Sequence, residues 1–443
     1  MVLLQYSFSE AFRQLLLHLS KRTEWGIKGP FGHLGNAPLL FTQNLHIIMK
    51  HYSRYLLLVL LGVIFSLSAL AQNVTIDGID YELDTNKKTA SVAERVEGYY
   101  GDIAIPSSVV SNGTEYAVTG IGEGAFRNCL ELKSISLPNS LTSIANWAFL
   151  SCSSLTSITI PASVTSIGKA AFGGCTALTS MSVATGNAHY DSRDNCNAII
   201  LTDENTLIAG CRTSTLPATL KGIGYGAFLN QSGLTSIDFP ESLTNIGEAA
   251  FEGCHGLTSI TLPNSVISIG ESAFNLCTGL TSATLSKSLT QITDFTFFSC
   301  EDLVSIEIPE GVASVGWGAF GYCASLTSVV LPASLKKLGD SAFFGCPMLT
   351  SVACGAVNPP TCESSVFTSA PLTYATLRVP ASSVETYRAT SPWSSFGEIT
   401  GMDTGIEQVE ANAANGTVYN LKGQRVAHPD KGFFIIGGKK VIR

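Results

Sequence analysis

A phenylalanine recurs at a fixed interval of 23 residues: Phe126, Phe149 and Phe172, then Phe228, Phe251, Phe274, Phe297, Phe320 and Phe343. Ala precedes it everywhere except at Thr296. The single irregular gap, 56 residues, is one period plus an insertion of 33. A chain with such a period has few ways to fold. One repeat cannot bury its apolar side chains alone, so the units must stack as turns of a solenoid and share one continuous core.

Other positions keep phase with the Phe. Three residues on stands Cys (Cys129, Cys152, Cys175, Cys254, Cys277, Cys300, Cys323, Cys346), replaced once by Gln231. Six on stands Leu, from Leu132 to Leu349, and the ninth and eleventh positions are mostly apolar, as in Ile260 and Leu262. This L-x-x-L-x-L frame ends in a short strand. Pro often follows (Pro138, Pro161, Pro240, Pro263, Pro309, Pro332) and stops the strand, because it cannot donate to a ladder. A second apolar pair such as Leu243 and Ile246 comes next, usually followed by a Gly that permits the corner into the next Ala-Phe turn. The Phe rings are expected to stack as a spine. The Cys ladder reads as small buried hydrophobes: one per rung in an apolar frame is not a clustered metal set.

With the frame laid out, "TSIGKAAFGGCTALTSMSV" and "LTNIGEAAFEGCHGLTSITLPNSV" resemble the BspA-type leucine-rich repeat, the Treponema/Bacteroides subclass, over about residues 117–355. The resemblance implies a surface or secreted protein, linked to adhesion to host extracellular-matrix proteins and to other bacteria, with no catalytic residues. The expected fold is a β-rich leucine-rich-repeat solenoid of 23-residue rungs with a hairpin insertion and caps at both ends.

The remaining segments divide as follows. Residues 49–71 read as a secretory signal peptide: Met49, Lys50, His51 and Arg54 precede the apolar run Leu56–Leu70, and Ala69-Leu70-Ala71 is an A-x-A cleavage site. A transmembrane helix is the alternative, and the run is short for one. Residues 1–48 then read as an over-extended start, with translation from Met49, or as a true N-terminal extension. Residues 72–116 lack the period. They begin as a hairpin turning at Asn86 and Lys87 and form an N-terminal β cap over the first rung.

The insertion, about residues 184–215, contains "CNAIILTDENTLIAGC", a hairpin that pairs Leu201 with Thr206 and brings Cys196 opposite Cys211. That pair is either a disulfide or two buried thiols. Cys354 and Cys362, flanking Pro359-Pro360, pose the same choice. Residues 356–401 form a C-terminal cap. It contains a degenerate rung at Phe367, a strand, a short helix from about Ser382 to Thr390 capped by Ser382 or Ser383, and Trp393 and Phe396 over the last rung. Residues 405–443 are a small β tail. Val418-Tyr419-Asn420-Leu421, Gly423-Gln424-Arg425-Val426, Lys431-Gly432 and Gly438-Lys439-Lys440-Val441 resemble the C-terminal sorting domains of type IX secretion substrates in Bacteroidetes, although the N-terminal part of such a domain is short or absent.

The formal net charge is -8, and the part beyond residue 71 is more acidic still. That argues against nucleic acid and anionic membrane surfaces as partners. Beyond residue 71 the only His are His189, His255 and His428, none at metal-ligand spacing, and there is no G-x-S-x-G elbow. No catalytic residue, cofactor or metal ligand is therefore assigned. Stretches such as "GIGEGAF" are corners that recur with the rungs rather than phosphate loops.

The outward strand positions lie eight and ten residues after each Phe. The first is always Ser. The candidate binding face comprises Ser236, Asp238, Ser259, Thr261, Ser282, Thr284, Ser305 and Glu307. It is either a solvated sheet surface or a broad polar platform without the Trp, Tyr and Arg anchors of tight interfaces. The leading expectation is a monomeric binding or adhesion protein, secreted or associated with the outer membrane at the cell surface, that recognises host or bacterial surface proteins. The alternatives are an envelope scaffold without a specific ligand, and a glycan-binding accessory using Tyr190, Tyr225, Trp317 and Tyr322.

Overall fold

The computed structural model of the protein describes residues 72–402, 418–420, 433–436 and 439–442. The start at Met49, the signal peptide at 49–71 and most of the tail at 405–443 lie outside the described residues. Within the tail, Val418–Asn420, Phe433–Ile436 and Lys439–Ile442 form a three-stranded antiparallel sheet.

The repeat folds into a β-solenoid of about 12 turns. Each turn has three sides. On the first, the strand after the repeat Leu pairs in parallel with its counterpart one rung on. Ser259–Thr261, Ser282–Thr284, Ser305–Glu307, Ser328–Leu331 and Ser351–Cys354 lie side by side in this way, and Thr376–Pro380 and Glu398–Met402 extend the sheet. The Pro after the strand opens a turn: the Leu243 and Val266 N–H groups donate to Pro240 O and Pro263 O at 3.0 and 3.1 Å. On the second side, the second apolar pair forms two-residue strands, including Asn245–Ile246, Ser268–Ile269, Gln291–Ile292, Ser314–Val315 and Lys337–Leu338. On the third, each Ala-Phe turn hydrogen-bonds to the next, as from Phe251 N to Ala273 O (2.8 Å).

The corner glycines are required by proximity rather than by dihedral angle. Gly168, Gly270, Gly316 and Gly339 have ordinary φ, but a Cβ on any of them would collide with the backbone of the preceding rung. Left-handed residues occur instead two before and two after the Phe. Gly226, Gly253, Gly318 and Gly345 adopt this conformation, and so do Phe295 (φ 54°), Leu276 (φ 57°) and Tyr322 (φ 57°). For bulky side chains that conformation costs about 1–2 kcal/mol each. The rungs tolerate it because both flanking hydrogen bonds are fixed by their neighbours.

The Phe spine is present. Rings from Phe228 to Phe343 stack at centroid distances of 5.0 to 5.5 Å with planes within 7° of parallel. The stack continues onto Phe367 at 5.7 Å, and Trp393 and Phe396 close it edge-on, each 5.5 Å from Phe367. Trp393 Nε1 donates to Pro360 O (3.1 Å) and the Tyr387 hydroxyl to Ala356 O (2.8 Å), so these buried polar groups are satisfied. The short helix is Val384–Arg388. The Ser383 hydroxyl makes no cap hydrogen bond, which corrects the expected Ser cap.

The Cys ladder does more than fill space. Each buried thiol donates to the carbonyl of the Phe one rung earlier, 26 residues back: Cys254 to Phe228 O (3.1 Å), Cys277 to Phe251 O (3.2 Å), Cys300 to Phe274 O (3.3 Å), and likewise at the other internal rungs. The first member, Cys129, has no earlier Phe and accepts from Tyr99 N (3.2 Å).

The insertion is a hairpin of Ala198–Leu201 and Thr206–Gly210 with Leu201 paired to Thr206 as expected. A bulge between Ile199 and Ile200 shifts the register. The hairpin is apolar on both faces and lies between two hydrophobic clusters. Cys196, Ala198, Ile200 and Leu207 join the core that runs on through Phe228, while Ile199, Ala209 and Cys211 join the core built from Phe126, Phe149 and Phe172. Cys196 and Cys211 therefore face opposite blocks and do not stand opposite one another, and both are free thiols. Strand alternation, compounded by the bulge, overturns the expected pairing.

At the N-terminal end, Gln72–Ile76, Ile79–Asp84 and Thr89–Val92 form an antiparallel meander. Thr89–Val92 runs parallel to Thr114–Ile121, which leads into the two-residue ladder at Ser143–Ile144.

Candidate functional site

The first face of the solenoid is the parallel sheet. Register aligns Ser259 with Ser282, Ser305, Ser328 and Ser351 in one row. Thr261 and Thr284 pair in the second row, where Glu307 pairs with Val330 and Val330 with Ala353. Strand alternation sends Ile260, Ile306, Val329 and Val352 into the core and leaves these positions outward. All eight candidate residues, Ser236, Asp238, Ser259, Thr261, Ser282, Thr284, Ser305 and Glu307, are exposed. Ser236 and Asp238 sit on backbone outside any assigned strand, just before the sheet begins. On an earlier rung pair, Thr159 and Ser182 share a hydrogen bond of 3.0 Å between their hydroxyls.

Beyond Ser351 the sheet carries a residue that the period does not reach. Arg378 pairs in register with Ala353 on one side and Thr400 on the other and is exposed, so a guanidinium stands within the second row. The signal was present: Leu377-Arg378-Val379-Pro380 repeats the apolar-x-apolar-Pro pattern of Ile260-Thr261-Leu262-Pro263. It was hidden because the degenerate rung is 25 residues long from Ser351 to Thr376 rather than 23.

The second face carries a groove of about 750 Å³ across the two-residue strands. Its lining includes Glu271, Asp294, Trp317, Lys337, Asp340 and Glu363. Asp294 Oδ1 accepts from Trp317 N (2.7 Å) and Asp340 Oδ1 accepts from the Ser365 hydroxyl. Trp317 is 42% exposed and lies 4.3 Å, centroid to centroid and edge-to-face, from Phe295. Phe295 continues through Phe298, Tyr322 and Phe344 as a chain of edge-to-face contacts over the turn side.

The four aromatics considered as platforms therefore separate. Trp317 and Tyr322 are exposed. Tyr190 is buried, its hydroxyl accepting from Ile167 N (2.9 Å), and Tyr225 lies under the Lys169 ammonium, 4.8 Å from the ring centroid.

The second cysteine pair is also free. Cys354 is buried with its thiol 3.2 Å from the Tyr387 hydroxyl, and Cys362 is half-buried along the groove. The Tyr387 contact occupies Cys354 and corrects the disulfide reading. Burial pushes the thiols up: Cys129 and Cys362 to about 11, Cys277 and Cys346 to about 12. Thiols held neutral in this way are poor nucleophiles and poor metal ligands.

A family model described as BspA type leucine rich repeat region matches in six copies, over residues 103–200, 209–323 and 290–391, together more than half of the chain. No curated protein matches. Among solved structures, the chain is similar to the pneumococcal vaccine antigen PcpA (15% identity, 75% of this chain and 99% of that one, TM-score 0.45). It is similar to a leucine-rich repeat protein from Eubacterium ventriosum (19% identity, 68% and 95%, TM-score 0.45). It is also similar to a leucine rich cell surface protein from Faecalibacterium prausnitzii (22% identity, 63% and 94%, TM-score 0.38).

Proposed function

Because the chain belongs to the BspA-type leucine-rich-repeat family, we propose that it is a secreted or cell-surface binding protein, not an enzyme, whose parallel sheet engages a protein on a host or bacterial surface. The observation that carries this reading is the in-register row Ser259, Ser282, Ser305, Ser328, Ser351, continued by Thr376, beside a second row that holds Thr261, Thr284, Glu307 and, further along, Arg378. A sheet that only needed solubility would be served by any mixture of polar residues. A continuous rank of short hydroxyls keeps side-chain entropy loss low and lets a partner approach the sheet closely. Its polar character favours many weak contacts, and Arg378 and Glu307 supply the charges that orient a partner.

Delivery to the surface follows from the signal peptide read at residues 49–71, and the tail at 405–443 would serve as the sorting element. N-terminal sequencing of the exported protein beginning at Gln72, and surface proteolysis of intact cells, test both.

The binding reading is tested with the purified mature chain on a panel of immobilised matrix proteins, bacterial surface proteins and glycans. Saturable binding to a protein, weakened at least about tenfold when Ser282 and Ser305 are both replaced by bulky Tyr, supports it. Absence of any saturable partner favours the envelope scaffold. Saturation on glycans alone favours the glycan accessory, the reading for which the exposure of Trp317 and Tyr322 speaks.

A further inference from the structure

The groove on the second face is built from a repeating column of side chains. Three residues before each Phe the chain places Glu248, Glu271, Asp294, Trp317 and Asp340, so carboxylates stand on neighbouring rungs with one indole among them. Glu363 adds a fourth carboxylate to the groove itself, beside Glu271, Asp294 and Asp340. Neighbouring rungs are roughly 4.7–4.9 Å apart, and like charges on adjacent strands repel. Nothing in the frame demands acids there, since of the four earlier rungs only the first has one, Glu123, and the others carry Asn146, Lys169 and Tyr225 at the same position.

The chain does not neutralise this column. Among the described residues none of the four groove carboxylates forms an ion pair, and Lys337, which lines the same groove, forms none either. Asp294 and Asp340 each spend one oxygen on a neighbour and keep the other, while Glu271 and Glu363 are exposed. Among the described residues no three acids lie close enough to hold one metal ion. The charge is thus spread along the axis, which suits an extended polycation rather than a single cation. Trp317, 42% exposed between Asp294 and Asp340 in the column, offers a ring to a guanidinium or ammonium.

We propose that this groove binds an extended peptide segment rich in arginine or lysine, laid along the solenoid axis with one basic side chain over Trp317 and others against the flanking carboxylates. The site is separate from the sheet face, so either assignment can fail without the other.

The test uses the purified mature chain and a fluorescein-labelled octapeptide of alternating arginine and serine, titrated by fluorescence anisotropy at low and high salt. The glutamine–serine peptide and a neutral oligosaccharide are the controls. Binding of the arginine peptide that weakens with salt, and that falls about fivefold in Trp317→Ala and measurably in Glu271→Gln, is expected. Glu307→Gln, on the sheet face, should leave it unchanged. Unaltered denaturation curves show that the variants fold. The proposal is overturned if the arginine peptide does not bind, if Trp317→Ala and Glu271→Gln bind it as well as the parent, if Glu307→Gln weakens it equally, or if either control ligand matches it.

Discussion

Gln231 Nε2 lies 3.5 Å from Phe172 O, a carbonyl 59 residues earlier, in the one rung where the Cys ladder is interrupted. Elsewhere a thiol reaches the Phe carbonyl 26 residues back, and 59 is that separation plus the 33-residue insertion. The substitution is therefore a longer arm placed at the splice. Gln231 is fully buried, and its Oε1 has no partner in the structure, so the arm is kept at some cost. Gln231→Cys restores the repeat consensus but is expected to destabilise the protein by about 1–2 kcal/mol, because the shorter side chain leaves a gap and an unmet carbonyl site. Urea unfolding monitors it; a gain in stability would show that the arm is incidental.

Phe274 stacks between Phe251 (5.2 Å) and Phe297 (5.4 Å) and is fully buried. Phe274→Ala should cost about 3–5 kcal/mol. The same measurement applies, and a loss below about 1 kcal/mol would mean that the spine contributes little beyond what its neighbours can refill.

Alkaline pH should weaken the fold in a defined window. Cys277 and Cys346 are pushed by burial to about 12 and Cys129 to about 11, against an ordinary value of 9.0. A folded-state value above the unfolded one favours the protonated thiol in the native state. Stability from this source is thus complete below about pH 8.5 and lost as pH rises toward 11–12. Tyr81 and Tyr99, also raised to about 12, act in the same direction above about pH 10. The urea midpoint should be level from neutral pH to about pH 8 and fall between about pH 9 and pH 10.5; a level midpoint across that interval would contradict the burial argument.

The hairpin Ala198–Gly210 separates two hydrophobic clusters, and no Phe172–Phe228 stack joins them. Coupling between the blocks runs through backbone contacts such as Gly174 N to Leu229 O (2.7 Å), through the Gln231 arm to Phe172 O and through the hairpin's own two faces. Hydrogen exchange should therefore resolve two units with different opening free energies on either side of residues 196–211. Uniform protection across that junction would show one cooperative array instead.

What could be read from residues follows from the physics that produced each feature. The spine, the inward Leu positions and the Leu201–Thr206 turn are dictated by periodicity and local alternation, so they were legible. The fate of Cys196 and Cys211 was not, because a bulge depends on packing against both neighbours and leaves no mark on composition. The Cys-to-carbonyl bond leaves no mark on the sequence, because a thiol fits a small apolar slot with or without a hydrogen-bond partner. Arg378 escaped because its rung departs from the period, although its strand pattern did not. Counting along the period points the sheet-face residues outward, and they are exposed. The groove around Trp317 required knowing that a second column, three residues before the Phe, also faces outward.

The bonds that tie one turn to the next between Phe228 and Phe343 are the same at every step: ring on ring, thiol to carbonyl, turn to turn. Neither end needs to know how many steps lie between. A duplication or loss of whole 23-residue units there would lengthen or shorten the molecule by roughly 4.7–4.9 Å apiece while every internal joint stays as it is. Reach is thus a quantity that descent can adjust in even increments without redesigning anything else, and related chains of different span are the natural consequence.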